Sequence, residues 1–164
     1  MYWNFRFSFA TCENSFFPAL SAQAHREFYE EHFETFLSRR FEGLMEFFGL
    51  PMDKPIRSFS TGQKNQFEVI MALSQGAGYI LMDEPFVRLD PKAAHTLKTL
   101  MREHCDKGGA IFFSTHVLEV AEKLCDKVAI IQAGKLVKYG TMDEVRGDDS
   151  LEDTFLELAE RRVA

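Results

Sequence analysis

The stretch ILMDEPFVRLDP, residues 80–91, ends an apolar run in two adjacent carboxylates, Asp83 and Glu84, and places a third, Asp90, shortly after them. The apolar residues from Tyr79 to Met82 predict a buried parallel strand, and open α/β sheets bind their ligands beyond the carboxyl ends of such strands. There Asp83 could hold Mg²⁺ through the ion's water shell, because this hard cation takes carboxylate oxygen and keeps several waters. Glu84, the next residue, would point to the other side and could polarise an attacking water as general base. Taken alone, such a pair is more often a solvated loop start than a catalytic site. Chemistry on a nucleoside triphosphate also requires groups that hold the phosphates.

Two further groups suit that task. In SFSTGQKNQFEVIMAL, residues 58–73, a polar turn at Ser60-Thr61-Gly62 precedes a helix predicted from about Gln63 to Leu73. Ser60 and Gly62 would bring a hydroxyl, backbone N–H groups and the positive end of the helix dipole against phosphate oxygens. An ordinary helix cap fits the same residues. His116 follows the apolar strand GAIFFST, at a position suited to contact a γ-phosphate, although a histidine there also fits plain packing. Asp90-Pro91 reads as a helix start. The glycine-rich loop GxxxxGK[ST], whose N–H groups and lysine cradle phosphates, occurs nowhere in the sequence. Gly76-Ala77-Gly78 and Gly108-Gly109 lack a following Lys-Ser and precede strands.

The elements that must position these residues alternate in the second half of the chain. GYILMD, PKAAHTLKTLMREHC and GAIFFST read as strand, helix and strand, the pattern of parallel strands joined by crossover helices. A helix over 117–124 leads to KVAIIQAGKLVKYG, two short strands around the turn Ala133-Gly134. The final helix, SLEDTFLELAERR, begins at Ser150 with Asp153 in the capping-box position. From about Ser21 to Phe48, aromatic and leucine residues at spacings of three, four and seven predict one or two amphipathic helices, ended by Gly49-Leu50-Pro51.

Composition narrows the classes. The 164 residues are 46% hydrophobic and 27% charged, which is globular composition. No apolar stretch approaches the roughly 20 residues that cross a bilayer, and the first residues lack a signal-peptide pattern, so a cytoplasmic setting is expected. Three Cys without CxxC spacing disfavour a disulfide framework or zinc site. A net charge of -6 without a basic cluster disfavours a nucleic-acid surface.

In order and spacing these segments resemble the ATP-binding cassette (ABC) ATPases. Phe59-Ser60-Thr61-Gly62-Gln63 resembles the family's signature loop, ILMDEP its Walker B strand with the catalytic glutamate, RLDP its D-loop, and FFSTH the switch strand ending in the H-loop histidine. SLEDTFLELA resembles the last helix of many cassettes, and the front FYEEHFETFLSRRFEGLMEFFGLP resembles bacterial exporters of the ABC-2 kind. The resemblance implies an α/β, P-loop NTPase-like core of parallel strands with a helical signature subdomain at about 21–75, the remaining core being 1–20 and 76–164. It implies ATP and Mg²⁺ as cofactors in the complete cassette, with Asp83 at the metal, Glu84 and His116 catalytic, and Ser60, Gly62, Gln63 and Asp90 binding nucleotide. The implied partners are transmembrane subunits and a second nucleotide-binding domain, with no nucleic acid, and the implied place is the inner face of the cell membrane.

Departures qualify the resemblance. Phe59 stands for the usual Leu, Thr61 for a Gly, and Arg88 for the Gly before Leu89-Asp90. The Q-loop glutamine has no counterpart, Cys12-Glu13 falling near its place with Glu13 a candidate metal ligand. In the family the phosphate loop precedes that segment, so the expectation is a cassette portion without its first strands, inactive alone and with unpaired strand edges. The alternative is a non-hydrolysing interaction or regulatory module derived from an ABC ATPase. A DNA-repair ATPase head, which would carry coiled-coil arms and a basic surface, fits poorly.

Overall fold

The computed structural model describes residues 7–11 and 16–160, so Cys12 and Glu13 lie outside the described residues. The chain forms two compact units, Met1–Ser114 and Thr115–Ala164.

The first unit holds β1 (Phe7–Ala10), α1 (Ala22–His32), α2 (Ser38–Phe47), a 3-10 turn (Ile56–Ser58), α3 (Thr61–Ser74), β2 (Tyr79–Asp83), α4 (Pro91–Asp106) and β3 (Ala110–Ser114). Its strands lie in the order β1-β2-β3, all parallel, with Phe7 opposite Tyr79 and Tyr79 opposite Ala110. Alternation along this register gives the sheet two different faces. Ser8, Ala10, Ile80 and Met82 are buried on one of them. That face packs on α3, to which Ser8 is fastened by its hydroxyl donating to the Ala72 carbonyl at 3.0 Å. The small side chains of Ser8 and Ala10 allow this close approach. Phe7, Phe9 and Phe112, on the other face, are 56%, 55% and 63% exposed.

The asymmetry follows from chain direction. Right-handed crossovers that step through neighbouring parallel strands in sequence order put every connecting helix on the same side. Here β1 reaches β2 through α1–α3, and β2 reaches β3 through α4, so both crossovers fall on one face. The expectation of parallel strands matches this sheet, in which, among the described residues, β1 and β3 are the outer strands.

The segment before Pro51, expected to form one or two amphipathic helices, forms two, α1 and α2. Ser21 caps α1 by accepting from the Ala24 N–H at 3.1 Å. The core above the sheet is aromatic and centres on Phe67 of α3, which is fully buried. Its ring meets Phe16, His25, Phe41 and Phe59 with centroids 4.9 to 6.1 Å apart, all near edge-to-face. At the other end of α3, Gly76 takes a positive φ of 65°, and a Cβ there would lie 2.2 Å from the Thr35 carbonyl oxygen. Only glycine lets the segment before α2 close on this helix end, where the Leu37 N–H donates to Ser74 at 2.7 Å.

The second unit contains α5 (Leu118–Leu124), β4 (Lys127–Gln132), β5 (Lys135–Thr141), α6 (Met142–Arg146) and α7 (Leu151–Glu160). The expected hairpin turns at Ala133-Gly134, both with positive φ, and its antiparallel strands cover a core of Ala121, Ile130, Met142, Val145 and Leu151. Two local readings differ from expectation. Asp153 does not reach back to a backbone N–H; it accepts from the Ser150 hydroxyl at 2.6 Å, while that hydroxyl accepts from the Asp153 N–H. The complete capping box lies at Thr141 and Glu144 instead, starting the short α6 that periodicity alone does not reveal. The Thr141 backbone N–H, donating to Glu144 Oε2 at 2.8 Å, and then hydrogen bonding with the Thr141 side chain hold the pKa of that carboxyl below its ordinary value.

Candidate functional site

β2 stays apolar until its last residue, so its carboxyl end delivers Asp83 to the sheet rim on the uncovered face. Ser114, at the end of β3, stands opposite it in register. The Ser114 hydroxyl donates to Asp83 Oδ1 and accepts from the Glu84 N–H at 3.2 Å. That N–H is shared with the Ser114 carbonyl, also at 3.2 Å. One serine thereby ties both residues of the carboxylate pair to the neighbouring strand. Asp83 and Ser114 line a shallow hollow of about 220 Å³ together with Phe9, Thr11, Leu81 and Phe112. This arrangement suits Mg²⁺, which binds through one or two carboxylates and fills its remaining positions with water and substrate phosphate oxygens. Among the described residues there is no cluster of three or more acidic, His or Cys side chains that would make an all-protein metal cage.

Glu84 sits differently from simple alternation. The strand stops at Asp83, and Glu84 has φ 46°, in the left-handed region that non-glycine residues rarely adopt. Its half-buried side chain is aimed by a turn rather than by the strand pleat. Such strain costs on the order of 1–3 kcal/mol and persists where surrounding bonds enforce it, here the double acceptor on Ser114.

Arg88 is the second left-handed residue of this loop, with φ 63°. The conformation explains why a glycine suits this position in proteins with the same loop. A Cβ on Gly62 would lie 4.0 Å from the Arg88 Cβ, so the start of α3 and the RLDP loop are neighbours. Phe86 in that loop packs edge-on to Phe113 at 5.8 Å and lies under the Lys98 ammonium.

The start of α3 is a full capping box. The Ser60 hydroxyl accepts from the Gln63 N–H at 3.2 Å, and Gln63 Oε1 accepts from the Ser60 N–H at 2.9 Å. Ser60 is exposed, and Gly62 and Gln63 are partly so. Asp90 caps α4, its Oδ1 accepting from Lys92 at 2.9 Å and Ala93 at 3.0 Å, with Pro91 in the first turn. The helix-start readings of Ser60 and Asp90 are therefore real, and both residues are at the same time exposed. His116 belongs to the second unit, exposed at the middle of a turn in which the Thr115 hydroxyl accepts from the Val117 N–H at 3.0 Å. The structure thus joins Asp83 to Glu84 through Ser114, and sets Gly62 beside Arg88. Ser114 is the residue that sequence reasoning missed. Its signal was the strand register, which a single strand pattern does not reveal.

Parallel strands ending in an acidic pair, with a capped helix start beside the following loop, define an α/β domain of the nucleoside-triphosphatase type. Comparison with known proteins agrees. A family model described as "AAA domain, putative AbiEii toxin, Type IV TA system" matches residues 18–122. The chain is 33% identical over 141 residues to the Nod factor export ATP-binding protein I of Ralstonia nicotianae, covering 76% of this chain and 44% of that protein. It is 31% identical over 126 residues to the ABC transporter ATP-binding protein YthP of Bacillus subtilis, covering 75% and 53%. A solved structure of an ATP-binding subunit of an ABC transporter superposes with a TM-score of 0.80 at 29% identity, over 93% of this chain and 68% of that one. A dimeric ATP-binding cassette bound to ADP and Pi shares the fold, with a TM-score of 0.70 at 18% identity, over 84% of this chain and 63% of that one. The chain belongs to the P-loop ATPase family that this AAA model describes, and within it to the ABC transporter ATP-binding domains. It spans about half the length of the curated relatives it matches.

Proposed function

We propose that the chain handles ATP in an ABC transporter, supplying the metal-side and dimer-side groups of the site while the phosphate loop comes from sequence outside these 164 residues. The observation that carries this reading is the Asp83–Ser114–Glu84 linkage at the carboxyl end of the parallel sheet. Asp83, held by Ser114, would take Mg²⁺, which when bound neutralises charge on the phosphate oxygens. Glu84 would accept the proton of the attacking water. Ser60, Gly62 and Gln63 would present donors to the nucleotide of a second nucleotide-binding domain, with Asp90 at the same interface and His116 at the γ-phosphate. The partners in this reading are transmembrane subunits, so the chain would work at the inner face of the cell membrane. Among the described residues no helix is long and apolar enough to cross a membrane itself.

Titration calorimetry tests the division of the site. The chain alone should bind Mg-ATP no more tightly than about 0.1 mM, roughly 5.5 kcal/mol, because two carboxylates repel phosphates unless donors hold them. Adding a polypeptide that carries the phosphate loop and the preceding strands should restore binding and phosphate release. Sub-micromolar binding by the chain alone would refute the division. Restored binding without any phosphate release would favour the non-hydrolysing module.

A further inference from the structure

His25, outside the carboxylate site, is an uncommon kind of core residue: an ionisable ring only 1% exposed. Its Nδ1 lies 2.8 Å from the Ser21 carbonyl oxygen. A carbonyl only accepts, so Nδ1 carries the hydrogen and Nε2 is left as a bare acceptor. Among the described residues Nε2 meets no hydrogen-bond partner. Around it stand Phe16 at 5.6 Å and Phe67 at 5.4 Å, both near edge-to-face, and Phe17 at 6.1 Å. The ring thus joins three pieces of chain: residues 16–20, which follow β1; the start of α1; and α3.

We propose that His25 is an acid-released catch that fastens residues 16–20 to the helices. Neutral, the imidazole packs as an aromatic ring in an aromatic cage. Protonated, it acquires an Nε2–H that meets no acceptor among the described residues and a charge inside an aromatic cage, which must open to hydrate it. The catch matters because residues 16–20 continue from the carboxyl end of β1, where Thr11 and Asp83 line the same hollow. Residues 16–20 contain no ionisable side chain. The groups of the surrounding elements that are charged or titrate near neutral pH are Lys64 and Glu68 on α3, Arg57 on the 3-10 turn, and Arg26, Glu27, Glu30, Glu31 and His32 on α1, Arg26 pairing with Glu30 and with Glu42 of α2. The imidazole answers instead to burial, which lowers its pKa, and to the Ser21 carbonyl, which raises it less.

The direction of the pH effect follows. With its pKa lowered in the folded state, His25 binds fewer protons folded than unfolded. Stability from this site is complete above the ordinary histidine value of about 6.5 and falls as the pH drops below it toward the folded value.

The test follows the His25 ring resonance and backbone amide exchange of the whole chain by NMR, from about pH 7.5 to about pH 5.5. His25 should titrate below the ordinary histidine value. The Leu20 and His25 amides, bonded to Phe17 and Ser21, should lose protection on acidification, while the Cys125 amide in the second unit should keep it. His25→Phe, which keeps a ring in the cage, should remove the pH dependence of the Leu20 amide. Titration at or above the ordinary value, or equal protection at both pH values in the wild-type chain, would overturn the proposal whether or not the variant folds.

Discussion

Ser60 serves as a helix cap in this structure and is proposed to face nucleotide, and substitutions can separate the two roles. Ser60→Ala removes the acceptor for the Gln63 N–H and should cost about 1 kcal/mol of stability. The helix itself should survive, because every residue from Phe67 to Ser74 is buried. Ser60→Asp caps as well as serine does and adds a favourable charge at the helix N-terminus, so stability should stay within about 0.5 kcal/mol of the parent. Function should respond in the opposite order. A carboxylate about 4 Å from a phosphate oxygen at an effective dielectric constant of about 20 opposes binding by about 4 kcal/mol, or about a thousandfold. Urea unfolding of the chain measures the first effect, and phosphate release by the assembly complemented with a phosphate-loop polypeptide measures the second. The Asp variant should be stable and nearly inactive, the Ala variant less stable and partly active. If turnover instead tracked stability across both variants, Ser60 would be a cap and nothing more.

Two further outcomes are expected. In the complemented assembly, Glu84→Gln should retain Mg-ATP binding and reduce turnover about 10² to 10⁴-fold, since the amide hydrogen-bonds but cannot accept the proton of water; near-normal phosphate release would remove Glu84 from the catalytic role. Gly76→Ala should destabilise the chain by at least about 1–3 kcal/mol in urea unfolding, because of its positive φ and the 2.2 Å approach to the Thr35 carbonyl, whereas Gly43→Ala in α2, with nothing within 4 Å, should stabilise it by about 0.5–1 kcal/mol.

The parts of this molecule legible in the sequence are those whose signals are local. Apolar runs closed by Asp83 and Ser114, the Asp-Pro start at Asp90 and the polar turn at Ser60 each produce their structure within a few residues, and β2 to β5, α3 to α5 and α7 fall where the pattern placed them. The less legible parts depend on pairing between distant segments. That Ser114 would bridge Asp83 and Glu84 follows from the β2–β3 register, which neither strand specifies alone. Nothing in the sequence around His25 marks it as a core residue; the convergence of Phe16, Phe17 and Phe67 makes it one. Glu84 escaped simple alternation because its strand ends one residue earlier. The cap at Thr141 was readable as T-x-x-E, but α6 is too short for periodicity to report.

The uncovered face of the sheet connects fold and function. Asp83 and Ser114 share that face with Phe7, Phe9, Tyr79 and Phe112, because residues opposite one another in parallel strands point the same way. An aromatic surface beside a carboxylate offers no donors to a phosphate chain, so the rim alone holds phosphate poorly even with Ser114 donating to Asp83. The same surface becomes a good place once covered, since excluding water strengthens every charge interaction at the rim. Burying those aromatic rings and pairing the open edge of β3 would also supply the association energy to hold the covering segment. Under the proposed function, hydrophobic cover and nucleotide chemistry would be coupled: Phe9, Phe112 and Asp83 line one hollow, so phosphate donors on a segment shielding the rings would lie near the carboxylate.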